Sequence, residues 1–163
     1  MIDVFRHGQR LPRVADFQAG RPVLVSACLV GMQTRYDGTD GLNAELVGRL
    51  SGANWLPVCP EELGGLPTPR PPADMVGGDG HDVLAGRARV IDINGQDVTA
   101  AFVEGARRVL ATAQRLGVQV CYLKARSPSC GLTPCWTTAG HRRGIGVCAA
   151  LLAENGIEII EID

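Results

Sequence analysis

With 163 residues, 45% of them apolar and 20% charged, the chain suits one domain around one hydrophobic core. A domain of this size buries roughly 70% of the surface that its unfolded chain exposes, so no disulfide or metal staple is needed for stability. The formal charge of −1 excludes the broad basic excess of a general nucleic-acid binder, and no apolar run reaches the length of a membrane span.

Residues 1–22 show no clear period and are expected to form an N-terminal extension ahead of a domain over 23–163. Asp3, Arg6, Arg10, Arg13 and Asp16 interrupt the apolar stretch that a secretory leader requires, so the expected location is cytoplasmic. VLVSACLV, from Val23 to Val30, predicts a buried strand ended by Gly31. Asn43 precedes the short amphipathic segment AELVGRL as its expected N-cap. Trp55 to Cys59 predicts a second strand, stopped by Pro60. Glu61 to Asp82 is so dense in proline and glycine that it predicts a long ordered loop without regular elements, the kind of loop that commonly carries function. Ala88 to Ile93 predicts a strand followed by an Asn94-Gly95 turn.

Asp97 is expected to cap the longest helix, Val98 to Leu116, where Phe102, Val103, Ala106, Val109, Leu110, Ala113 and Leu116 lie on or near one face and Gly117 ends the element. A strand over Val118 to Leu123, a helix over Gly146 to Asn155 and a strand over Ile157 to Ile162 complete the pattern. Strands alternating with helices predict the α/β class: a single domain with a mainly parallel sheet flanked by helices.

The six cysteines carry the chemistry. In a reducing compartment such thiols are metal ligands, nucleophiles or small buried side chains more often than disulfides. Cys28, Cys59 and Cys130 each fall at or just after the carboxyl end of a predicted strand, where open parallel sheets bind their ligands. No CxxC pair and no ferredoxin-type run is present, so spacing alone does not select zinc or a cluster. Cys121 and Cys148 lie in apolar segments and read as core residues, and Cys135 reads as a surface thiol. His7, His81 and His141 have no ligand-like spacing and read as solvated loop residues. Arg35, Arg70, Lys124, Arg126, Arg142 and Arg143 are candidates for a local basic patch.

Four strings carry a resemblance: VSACLVG with RYDG, VCPEELGGLPTPRPPAD, DVTAAFVEGA, and LKARSPSCG. Together they resemble a bacterial family long catalogued as a domain of unknown function, whose members include thiouracil desulfidases, over about Val23 to Asp163. The resemblance implies a [4Fe–4S] cluster held by three cysteines, with one iron open to substrate. On the matching motifs the ligands are Cys28 in SACL, Cys59 in VCPE and Cys130 in SPSCG, and the acid–base pair is Glu61 and Ser127. The implied partner is a small thiolated substrate, a nucleobase or similar thioamide, converted from C=S to C=O with release of sulfide. The stretch LTPCWTTAGHRRGIG departs from the family pattern. Two other readings compete: a non-catalytic cluster-binding or redox-sensing module, and a metal-free protein whose three thiols exchange disulfides.

Overall fold

The computed structural model describes residues 20–137 and 139–163, together with the backbone of two short strands nearer the N-terminus, β1 (Phe5–Arg6) and β2 (Gln9–Arg10). These two pair antiparallel, Phe5 opposite Arg10, inside the expected extension. The other residues before Gly20, His7 among them, lie outside the described residues.

The central sheet begins with β3 (Val23–Ser26), whose four residues are all buried, as a strand covered on both faces requires. The expected strand over Val23 to Val30 is therefore half its predicted length. Ala27–Val30 winds into a 3₁₀ turn closed by Gly31 at a φ of 92°. An unbroken apolar run does not distinguish a buried strand from a buried turn. The end of the ladder is set by Ser26, whose Oγ accepts the Lys124 N–H at 2.9 Å where a backbone carbonyl would otherwise stand. Cys28 consequently sits beyond the strand, in the turn.

Asn43 caps α1 (Ala44–Leu50) as expected, its side chain accepting the Leu46 N–H. Next comes β4 (Trp55–Val58), with Cys59 as the residue that caps α2 (Pro60–Leu63). The stretch expected to be a bare loop thus holds α2, β5 (Ala73–Val76) and α3 (Gly80–Leu84). Proline is tolerated at the first helical position, where its missing N–H has no partner to lose, so Pro60 starts α2 rather than preventing it. α3 is held by a reciprocal capping box between Asp79 and Asp82.

β6 (Arg89–Asp92) pairs antiparallel with β5 as a separate ribbon. Then come α4 (Thr99–Leu116), β7 (Val120–Lys124), the small ribbon of β8 (Cys135–Trp136) and β9 (Arg142–Arg143), α5 (Val147–Glu154) and β10 (Glu158–Ile162). Gly117 ends α4 in the left-handed region, and Asp97 accepts the Thr99 N–H just before the helix.

β4, β3, β7 and β10 form one four-stranded sheet in that order, all parallel. Leu24, Cys121 and Leu123 pack under α4 and α5, while Val23, Val25 and Tyr122 pack with Leu46 and Leu50 of α1. The α/β architecture expected from the alternation is the one observed. Cys121 and Cys148 are fully buried in the first of these cores, as expected of small apolar side chains.

One close approach sets α2. A Cβ on Gly105 of α4 would collide with the Pro60 carbonyl, and one on Gly64 would collide with the Ala101 carbonyl. In an exposed helix, glycine to alanine gains about 1 kcal/mol. Here Gly105→Ala is expected to lose about 1–3 kcal/mol, as overpacked sites do, because α2 must move away. Chemical denaturation of the two proteins checks the sign; a stabilised variant would contradict the packing.

Candidate active site

β3, β4 and β7 finish at the same edge of the sheet, and the strand order reverses between β3 and β7. The carboxyl ends of neighbouring strands diverge at such a point and leave a crevice suited to ligands. In this chain the crevice is a cavity of about 240 Å³. Cys28, Cys59, Glu61, Ser127 and Cys130 all border it. The five residues singled out from the sequence are thus brought to one space from three strand ends.

Cys28 is the second residue of the 3₁₀ turn after β3 and is 8% exposed. Cys59 ends β4, its Sγ 3.8 Å from the Thr34 carbonyl oxygen. Cys130 follows β7 in the Ser127-Pro128-Ser129 turn and is 5% exposed. All three thiols are free, and burial is the main force that pushes each of them above the ordinary range. Lys124 opposes the shift at Cys28, the Glu62 N–H opposes it at Cys59, and the Ser26 hydroxyl opposes it at Cys130. The thiols are therefore neutral on their own, and any metal they take must displace their protons.

Glu61 is the second residue of α2, and its carboxylate is engaged on both oxygens. Arg70 Nε donates to Oε2 at 2.6 Å and Ser129 Oγ donates to Oε1 at 3.0 Å. Each oxygen keeps a lone pair for another donor. Ser127 is used the other way round. Its Oγ accepts the N–H groups of Ser129 and Cys130, both at 3.1 Å. With both acceptor sites filled, the hydroxyl is left with its proton to donate.

Arg35, Arg70, Lys124, Arg126 and Arg143 line the same cavity, five of the six candidates for a basic patch. Arg142 instead borders a shallow hollow near Asp79 and His141. Lys124 and Arg126 both pair with Asp163, and Arg143 pairs with Asp74 at 2.7 Å. Sequence reading gave no specific role to Arg70 or Ser26. The visible signal for Ser26 was a lone hydroxyl inside VLVSACLV; Arg70 showed only as a basic-patch candidate inside LPTPRPPAD, because its partners are brought by folding.

The matching family model is that of 2-thiouracil desulfurase, over residues 23–163. The chain belongs to the 2-thiouracil desulfurase family. A relative from Bacillus subtilis (strain 168), the uncharacterized protein YbbK, is 40% identical over 141 residues, covering 85% of this chain and 93% of that one. A solved structure, that of the [4Fe-4S]-dependent thiouracil desulfidase TudS (DUF523Vcz), is 36% identical with a TM-score of 0.74, covering 86% of this chain and 90% of its own. Among the described residues of this 2-thiouracil desulfurase family chain, no helix is long and apolar enough to cross a membrane.

The segment that departs from the family pattern is clipped to the domain at both ends. Glu161 of β10 accepts the Leu132 and Thr133 N–H groups at 2.6 and 2.9 Å. Asp74 of β5 takes Arg143 on one oxygen and His141 on the other. His141 thus hydrogen-bonds to Asp74, and His81 meets Glu154 at 2.7 Å, both rings staying nearly half exposed. Burial alone would raise the Asp74 pKa, but the hydrogen bond and charge of Arg143 outweigh it and hold the carboxyl below its ordinary 3.8.

A carboxyl held low stabilises the fold fully above its unfolded value, and that contribution disappears as pH falls through the folded value. Asp74→Asn is expected to destabilise the protein at neutral pH by on the order of 2 kcal/mol. It should also flatten the loss of stability on acidification below about pH 4. Unfolding midpoints across that range check both; an unchanged acid slope would show that Asp74 does not titrate there.

Proposed function

We propose that this protein removes sulfur from a small thiolated substrate, a thiolated nucleobase or related thioamide, at a [4Fe–4S] cluster held by Cys28, Cys59 and Cys130. The observation that carries the reading is the meeting of three free thiols, a carboxylate and a proton-donating hydroxyl around one cavity of about 240 Å³. Family membership and the likeness to TudS support it.

The donor set fits such a cluster. Among the described residues, no three His, Cys, Asp or Glu side chains close on a single metal ion. The three cysteines instead stand at separate strand ends, which suits a cluster that takes one thiolate per iron. The cationic lining suits the negative charge that three thiolates bring. When bound, the cluster supplies a soft Lewis acid for the sulfur of the thiocarbonyl at the iron without a cysteine.

The chain supplies the proton chemistry. Glu61, fixed by Arg70 and Ser129, is placed to hold a water molecule and take a proton from it as the water oxygen adds to the C=S carbon. Ser127 is placed to donate its hydroxyl hydrogen to the group that departs. The water oxygen becomes the carbonyl oxygen; one water proton restores the Ser127 hydroxyl and the other joins the serine's proton on the sulfur, so C=S and water become C=O and hydrogen sulfide without a change of oxidation state. The near-neutral net charge and the small cavity favour a free small molecule over RNA.

Anaerobic reconstitution tests the reading. The parent protein is expected to take up about four irons. Cys28→Ala, Cys59→Ala and Cys130→Ala are each expected to lose the cluster, and Cys135→Ala is expected to keep it. Glu61→Gln should keep the cluster and lose about 10²–10⁴ in the rate of sulfide release from a thiolated pyrimidine. A parent protein without iron would sink the assignment. A loaded protein that releases no sulfide would assign the non-catalytic cluster-binding role instead.

A further inference from the structure

We propose that Arg70 is a positioning residue that fixes the Glu61 carboxylate and the Cys59 thiol in one frame. The inference rests on the reading of Glu61 as the acid–base group.

The Arg70 side chain is 6% exposed and its partner Glu61 13%. Such a buried guanidinium is tolerated only if its N–H groups are met. Four of the five are met, from three separate segments. Nε donates to Glu61 Oε2 at 2.6 Å; Nη1 donates to Thr68 Oγ1 at 2.8 Å and to the Pro67 carbonyl at 3.3 Å. Nη2 donates to the Thr34 carbonyl at 2.9 Å, the same oxygen that faces Cys59 Sγ at 3.8 Å. The Arg70 backbone N–H adds a bond to the Tyr36 carbonyl at 2.7 Å, anchoring the loop that holds Thr34.

A planar fork reaches partners in two directions at once, which the point charge of lysine cannot reproduce. Rotating this guanidinium would move the carboxylate and the Thr34 carbonyl together. Arg70 borders the cavity, and four of its five N–H groups are turned to protein acceptors. Its proposed effect on chemistry is exerted through Glu61 and Cys59.

The test pairs a kinetic readout with one that needs neither cluster nor turnover. Arg70→Lys is expected to keep parent iron content and a parent-like KM while kcat falls about 10²-fold, the scale of an ångström misplacement. In a Glu61→Gln background the same change should add little. In the reduced, metal-free chain, Arg70→Lys should speed iodoacetamide labelling of Cys59 relative to Cys135, read by peptide mass spectrometry. Thr68→Val removes one acceptor from outside the cavity and should move both readouts the same way by a smaller factor. It decides the matter if the Arg70 variants do not fold.

A parent-like kcat in Arg70→Lys, or an equal loss in the Glu61→Gln background, would overturn the link to Glu61. Unchanged labelling would overturn the link to Cys59. If the parent protein holds a cluster but releases no sulfide, the desulfidase reading fails, and the labelling rates still decide whether Arg70 sets the thiol.

Discussion

The reversal of strand order between β3 and β7 is the constraint on which the site depends. Successive connections leave the sheet on opposite faces there, α1 on one side and α4 with α5 on the other. No crossover covers the carboxyl ends of the central strands, and the chain must turn away from each of them at once. It does so in three ways: a 3₁₀ turn after β3, a helix started by proline after β4, and a serine-braced turn after β7. Each device places a cysteine within the first residues beyond the sheet proper or shortly after it. Three short segments, distant in sequence, therefore share one cavity without any long loop having to be ordered for the purpose.

Charge is arranged around that cavity with the same economy. The acids that neutralise its cations stand mostly outside the wall. Asp163 holds Lys124 and Arg126, and Asp74 holds Arg143, yet neither acid borders the cavity. Glu61 is the acid in the lining, and it is neutralised by Arg70. Lys124, Arg126, Arg143 and Arg70 are thus fixed in place by their partners, while charge still reaches inward; Lys124 and Arg35 both favour ionisation of Cys28. On the proposed reading this is the field that an anionic cluster with three thiolates requires.

Much of this was legible in the sequence because it follows from local chemistry. Asn43 and Gly117 mark helix ends by properties of their own side chains, and the apolar face from Phe102 to Ala113 repeats at helical spacing. The α/β class and the grouping of the three cysteines followed from strand and helix alternation alone, with Glu61 and Ser127 supplied by family resemblance. What stayed hidden has tertiary causes. Ser26 shortens β3 by bonding a residue 98 positions away, and β5 exists because β6 pairs with it. α2 was obscured by a proline that in fact sits at the one helical position suited to it. Arg70 was legible only as a basic residue inside LPTPRPPAD; its positioning role was not, because burial and four acceptors reach it only after folding.

The same structure bears on the order of folding and cluster loading. In small zinc domains the metal supplies the folding energy, and the unloaded chain has no site. Here two apolar cores on the two faces of the sheet are built from side chains of the chain itself. The three cysteines are not an obstacle to that state. Desolvation keeps their thiols protonated, so they are buried as small neutral groups rather than as unpaired anions. On the proposed reading, the cost of ionising them falls at metal uptake, where Lys124 and Arg35 favour the Cys28 thiolate. Glu61 and Ser127 are held by hydrogen bonds from the protein itself. On the proposed reading, cluster insertion completes a site whose proton-handling groups are set by the fold alone.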